Sequence, residues 1–178
     1  MNWLLYMLFN LVLYSFLGWI LEEVYSFFSL GFFKKYGFLS VPLKPMYGIA
    51  MCLLIYCHDN LKISGIDMGA LFVIIPTTVE YLTGYTLRKM FKKEYWNYKA
   101  FKYNFQGLIC LEFSVCWAIL TAITLIVIQP LVKASYLEGI VFLSILSIVA
   151  TFFMTIDSID TILERTKLGN KNSKIHTL

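Results

Sequence analysis

The chain has 178 residues, of which 59% are hydrophobic, 17% aromatic and only 15% charged. A soluble domain is about 45–50% apolar and about 25% charged, so these values, with a mean hydropathy of +0.71, exclude an ordinary water-soluble globule and point to an all-α polytopic membrane protein. The net charge of +4 is not a nucleic-acid signature, because the basic residues are confined to a few loops, as insertion into a membrane demands.

The amino end, MNWLLYMLFN, has no basic stretch and no small-residue cleavage site, so it reads as a retained helix. Five apolar runs follow, at about 3–27, 46–61, 67–88, 107–130 and 136–163, each read as a span across about 30 Å of hydrocarbon. The second is the shortest, and Pro42 and Pro45 fix where it can begin. Pro76 predicts a kink in the third, and Pro130 closes the fourth. The expected organisation is a single transmembrane domain over 1–165 and a disordered cytoplasmic tail over 166–178.

Basic residues alternate between the connections. The first carries Lys34, Lys35 and Lys44, the second only Lys62, and the third Arg88, Lys89, Lys92, Lys93, Lys99 and Lys102. The fourth has only Lys133, and the tail has Arg165, Lys167, Lys171 and Lys174. The amino end is therefore expected outside and the carboxyl end inside. In that frame Asp59, Asp67 and Glu138 are outer, whereas Glu22, Glu23, Glu80, Glu112, Asp157 and Asp160 fall in the inner third of their helices.

A carboxylate at membrane depth is costly and faces a bundle interior or a wet cavity. Glu80 lies roughly 12 Å before Arg88 along its helix, and Glu112 roughly 7 Å past Gly107. The candidate intramembrane polar site is Glu22, Tyr47, Glu80, Asn104, Glu112 and Asp157. It is either a cavity for a cation, a proton or a cationic substrate, or an ion-pair network with Lys34, Lys35, Lys44 and Arg88 that fixes helix packing. Glu80 and Glu112 are expected near one another, with Lys44 or Arg88 as the basic partner or with a shared proton.

The connection RKMFKKEYWNYKAFKYN alternates bases with rings. Arg88, Lys89, Lys92, Lys93, Trp96, Lys99 and Lys102 form a candidate partner or lipid loop. It either docks a cytoplasmic partner or lies on anionic lipid, with Tyr95, Trp96, Tyr98 and Tyr103 at headgroup level. Glu22 and Glu80 are each followed eleven residues later by Phe-Lys-Lys, at Phe33 and Phe91. This suggests a parallel repeat of two helical hairpins, with chance recurrence as the rival.

Other chemistry finds little support. Cys52, Cys57, Cys110 and Cys116 form no CxxC, so neither a disulfide framework nor a zinc site is expected. Cys57-His58-Asp59 has no second cluster and reads as a solvated loop, and His176 lies in the tail. No GxxxxGK[ST], HExxH or GxSxG occurs, and Ser15, Ser114 and Ser147 lie on helices without a histidine nearby in sequence. The expectation is a non-enzyme without a cofactor.

Phe16-Leu17-Gly18-Trp19 with Glu22, then Gly37-Phe38-Leu39, Pro42 and Pro45-Met46-Tyr47-Gly48 form one ordered set. Glu80-Tyr81-Leu82-Thr83-Gly84-Tyr85, Phe91, Tyr95-Trp96-Asn97-Tyr98, Asn104, Gly107, Ile109-Cys110-Leu111, Trp117 and Pro130 form a second. Together, over about residues 10–135, they resemble the bacterial putative ABC-transporter type IV permeases. Tyr36, Asn97 and Leu108 stand where that family tends to have Arg, Asp and Arg, and Val41 where it has Gly, so the chain resembles a divergent member.

The resemblance implies a multi-pass protein of the bacterial inner (plasma) membrane. It further implies a permease-type subunit that moves an unknown substrate with a separate ATPase, and that self-associates or joins another membrane subunit. A non-transporting scaffold or regulatory protein that holds a cytoplasmic partner or membrane lipid is the alternative. An intramembrane enzyme using paired acids is a third reading.

Overall fold

The computed structural model describes residues 2–32 and 38–175. Helix α1 covers Trp3–Leu30, α2 Pro45–Asp59 and α3 Gly65–Phe91. A small antiparallel hairpin, β1 Asn104–Phe105 and β2 Ile109–Cys110, precedes α4, Leu111–Ile123. A π-helical turn over Thr124–Ile128 carries α4 directly into α5, Gln129–Glu138, and α6 covers Ile140–Ile175. Four of these helical stretches, Trp3–Ser29, Gly65–Phe91, Leu111–Glu138 and Ile140–Lys167, are long and apolar enough to cross a membrane. The chain is a multi-pass membrane bundle, and the all-α expectation holds.

Local chemistry sets the helix ends. The Asn2 side chain accepts from the Leu4 and Leu5 N–H groups at 3.0 and 3.4 Å and caps α1. Gly31, at φ 77°, ends that helix in the left-handed conformation that glycine adopts without a Cβ clash. Pro45 opens α2, where its missing N–H costs nothing. Helix α3 runs unbroken through Pro76.

Three expectations are corrected. Helix α2 has 15 residues, about 22 Å of helix, too short to span. It is instead an interior helix between α1 and α3, with Gly48, Ala50, Met51, Leu54 and Ile55 buried. Its start lies at the level of mid-α1, since the Lys44 N–H donates to the Ser15 carbonyl at 2.9 Å. Non-helical backbone at such depth must be satisfied by protein. The Asp157 carboxylate does this, accepting from the Ser40 and Val41 N–H groups at 2.9 and 3.3 Å.

Pro130 does not close the fourth span. The Gln129 N–H reaches five residues back, to the Thr124 carbonyl, and this widened turn makes room for the proline ring. The helix then continues to Glu138, and only Gly139 separates it from α6. The predicted tail is also helical as far as Ile175. No proline interrupts Thr166–Ile175, and each residue that extends a helix already nucleated adds a hydrogen bond, which offsets the poor helix formers Gly169 and Asn170. Residues 176–178, with His176, lie outside the described residues, as do Lys34, Lys35 and the Phe33 end of the proposed repeat. The two repeat units lead into helices of unequal length, the 15-residue α2 and a 28-residue span.

The core, with Tyr6, Met51, Leu54, Ile55, Phe72 and Tyr136 at its centre, occupies the bundle end away from the hairpin. A buried polar knot joins α1 to α5 there. Gln129 donates to the Tyr6 hydroxyl and to Asn10 Oδ1, both at 2.8 Å, and accepts from the Tyr14 hydroxyl. Every polar atom so placed needs a partner, and here each supplies another. Lys133 pairs with Asp59 at 3.0 Å and ties α5 to the end of α2.

Candidate functional site

The basic-aromatic connection, residues 92–110, folds into a cap on the opposite end of the bundle. It begins at Lys92, left-handed at φ 51°. Tyr98 N–H donates to the Gly107 carbonyl at 2.9 Å, and the Asn104 carboxamide oxygen accepts from the Gly107 N–H at 3.0 Å. The turn at Gln106 and Gly107 has φ of 55° and 68°, which closes β1 onto β2. The Trp96 indole donates to the Leu108 carbonyl at 2.8 Å and packs against α3 at Gly84. A Cβ at Gly84 would stand 2.8 Å from that ring.

This fold turns Tyr98 into the bundle. Its ring stacks on Phe113 with centroids 4.9 Å apart, and its hydroxyl donates to Glu80 Oε1 at 2.8 Å. Burial, and then the Glu80 carboxylate beside it, push the Tyr98 hydroxyl well above its ordinary pKa, so it stays a neutral donor. The expectation of Trp96 and Tyr98 at headgroup level is therefore corrected: their polar tips are used inside the protein. Tyr103 remains exposed, with Lys102 over its ring.

Three of the six predicted site residues come together. Glu22 is held by Lys44 and accepts from the Tyr47 hydroxyl at 2.8 Å. Tyr47 packs edge-on against Trp117, with centroids 5.3 Å apart, and fills the notch left by Gly18. Tyr47, Trp117 and Glu80 all border a cavity of about 370 Å³ among α1, α2, α3 and α4. Glu80 is 3% exposed, and its Oε2 has no hydrogen-bond partner among the described residues. The Trp117 indole N–H lies beside this carboxylate yet makes no well-formed hydrogen bond.

The other three lie elsewhere. Glu112 is exposed in the first turn of α4, where a carboxylate complements the helix dipole, and it does not pair with Glu80. Asp157 holds the 40–41 backbone, and Asn104 is a cap residue. Neither expected base reaches Glu80. Lys44 is engaged by Glu22, and Arg88 binds Glu94 at 3.1 Å and the Gln106 carbonyl at 3.0 Å. Lys99 also meets Glu94, at 3.6 Å, while Lys89 and Lys93 lie over the Tyr85 and Tyr95 rings.

Reading the sequence missed Arg165, which it placed at the start of the tail. Its guanidinium lies between the Phe38 and Tyr95 rings, 5.3 and 5.4 Å from their centroids, and donates to the Phe38 carbonyl at 3.1 Å. It clamps the 38–44 segment and the cap to α6. The signal was present, since this is the first base after a long apolar run, but its aromatic partners lie 70 and 127 residues away.

The model of a family described as "Putative ABC-transporter type IV" matches residues 9–162. The chain belongs to this family. The match takes in the cavity, the cap and the 38–44 segment, and it stops just short of Arg165. No curated protein and no solved structure matches the chain.

Proposed function

We propose that the chain is the membrane-embedded, permease-type subunit of a transporter that works with a separate ATPase. The observation that carries this reading is the cavity beside Glu80. A binding pocket in a membrane bundle is lined by apolar walls and a few convergent polar groups, and an intramembrane carboxylate that lacks a basic partner marks a functional site. Membership of an ABC-transporter family supplies the class. The chain carries no P-loop of its own, so hydrolysis belongs to another subunit.

The ATPase would meet the cap. Lys89, Lys92, Lys93, Lys99 and Lys102 are exposed there, and the alternation of basic residues along the chain favours a cytoplasmic position for that end. The test is co-expression with an ATPase encoded beside it. The expected result is a stable complex from mild detergent whose ATP hydrolysis, in proteoliposomes, falls when Lys93, Lys99 and Lys102 are changed together to Glu. An ATPase that neither co-purifies nor changes its rate with this chain present would defeat the reading.

Orientation is checked separately. In a cysteine-free background, which replaces Cys52, Cys57, Cys110 and Cys116, a cysteine at Asn60 should be labelled by an impermeant maleimide on intact cells. One at Ala100 should react only after lysis. The reverse pattern would invert the topology.

A non-transporting scaffold is the second reading, favoured by one feature. The lysines over Tyr85, Tyr95 and Tyr103 display charge on a preformed cap, as suits an anionic lipid surface or an acidic partner. A single bundle of this size encloses a pathway poorly, so self-association or a second membrane subunit accompanies either reading.

A further inference from the structure

The cavity has a side entrance. Helix α1 packs chiefly on α2 and α6, and α4 chiefly on α3. Two contacts bound an opening in the seam between α1 and the α4–α5 span. Towards the cap, Tyr25 meets Phe113 edge-on at 5.9 Å. Towards the other end, the Tyr14 hydroxyl bonds Gln129. Tyr14 and Tyr25 stand roughly 16 Å apart along α1. Between them the cavity walls reach the lipid-facing surface, with Leu17, Leu21 and Val24 on one side and Leu120 and Ile128 on the other. Each of these five is more than a third exposed. The opening therefore faces hydrocarbon, and its rim is aliphatic.

The inner end is different. It is lined by Glu80, one of whose carboxylate oxygens no described side chain satisfies, and by the edge-packed rings of Tyr47 and Trp117. No basic side chain lines the cavity among the described residues. A buried carboxylate and two aromatic faces attract a cation, and an acceptor oxygen without a partner favours one that carries N–H groups. At about 370 Å³ the space is at the small end for ligand pockets, which run about 300–1,000 Å³. It has room for one chain and a compact head.

We propose that the cavity binds a single-chain amphiphile with a protonated amine head, which enters sideways from the bilayer between α1 and α4 and sets its ammonium on Glu80. The tail would lie along Leu17, Leu21 and Leu120. As a substrate site this rests on the permease reading. As a binding site it does not, and the experiment below uses this chain alone, so the two can fail independently.

The chain is placed in phosphatidylcholine nanodiscs, and saturable binding of radiolabelled dodecylamine is measured above that of empty discs. Dodecanol supplies the tail without the charge, and butylamine the charge without the tail. Glu80→Gln should weaken dodecylamine binding about tenfold, the worth of one charge-assisted hydrogen bond, and leave dodecanol unchanged. Leu21→Trp, which fills the aliphatic entrance and leaves Glu80 in place, should slow or abolish entry of both long-chain probes. The proposal is overturned if Glu80→Gln binds dodecylamine as wild type does, or if it loses dodecanol equally. It is also overturned if butylamine binds as tightly as dodecylamine, which would mean an aqueous route, or if Leu21→Trp changes nothing.

Discussion

Replacing Gly48 with Ala should cost about 3 kcal/mol and sharply lower the amount of folded protein in the membrane. Gly48 is buried where α2 crosses α1, and a Cβ there would stand 2.3 Å from the Leu11 carbonyl oxygen and 2.5 Å from Ser15 Oγ. The first obstacle is backbone, so no rotamer change relieves it, and α2 must move off α1. Small residues at helix crossings in membranes allow this kind of backbone approach. The displaced helix also carries Tyr47 and begins beside Lys44, so the Glu22 contacts would be lost with it. Gly69→Ala is the control. It lies exposed in α3 with nothing within 4 Å of the added carbon, and it should leave stability unchanged or slightly raised, as alanine is the better helix former. Thermal unfolding in detergent reads both. Equal melting of the two variants would show that the α1–α2 crossing is looser than described.

The contrast between those two glycines shows where the sequence is legible. Helices are a local property. The apolar runs, with Pro45 at the start of the second, placed most elements to within a few residues, because periodicity, proline geometry and length act over a turn or two. Depth is not local. Nothing in Pro45–Asp59 reveals that it begins halfway along α1; that follows from Lys44 meeting Ser15 and from Asp157, more than a hundred residues on, receiving the 40–41 backbone. Pro130 was misread for a related reason. Proline ends a regular α-helix, but a turn widened by one residue absorbs it, and the sequence does not announce that turn.

The site was half legible. Membrane depth singled out Glu22 and Glu80, and the fold gives each a tyrosine hydroxyl, Tyr47 and Tyr98. It singled out Glu112 by the same rule and was misled, because Glu112 lies at a helix start and is exposed. The expected partners failed for a geometric reason. Opposite charge suggested Lys44 and Arg88 for Glu80, yet Glu22 and Glu94 lie nearer to them. The partner is a neutral phenol from a connection that composition alone assigned to anionic lipid or to a cytoplasmic partner. A loop of bases and aromatics has the same composition whether it floats on headgroups or folds onto its own protein. The Trp96–Leu108 and Tyr98–Gly107 hydrogen bonds decide between them.

Tyr98→Phe should therefore destabilise the protein by about 2 kcal/mol, through Glu80 and not through lost packing. The ring and its stacking on Phe113 survive the change. Only the hydroxyl goes, and it is the one donor that Glu80 has in good geometry among the described residues. A carboxylate 3% exposed would then have neither oxygen satisfied, and the cap would lose its attachment to α3. Trypsin should cut faster at Lys99 and Lys102 in this variant. Glu80→Gln should behave in the opposite way. The amide oxygen still accepts from Tyr98, the buried charge is gone, and stability should equal or exceed that of wild type. Glu138→Gln, on an exposed residue at the end of α5, should change nothing. The double variant Tyr98→Phe with Glu80→Leu removes donor and acceptor together and should recover most of the loss, since a buried pair replaced on both sides leaves no orphan. Thermal unfolding of the four variants and timed proteolysis of the cap provide the comparison. Full stability of Tyr98→Phe, or a loss that the double variant does not restore, would show that the cap is held by its other contacts and that Glu80 does not depend on it. The expected pattern separates the two oxygens of one carboxyl group: Oε1 holds the cap through Tyr98, and Oε2 takes no part in that attachment.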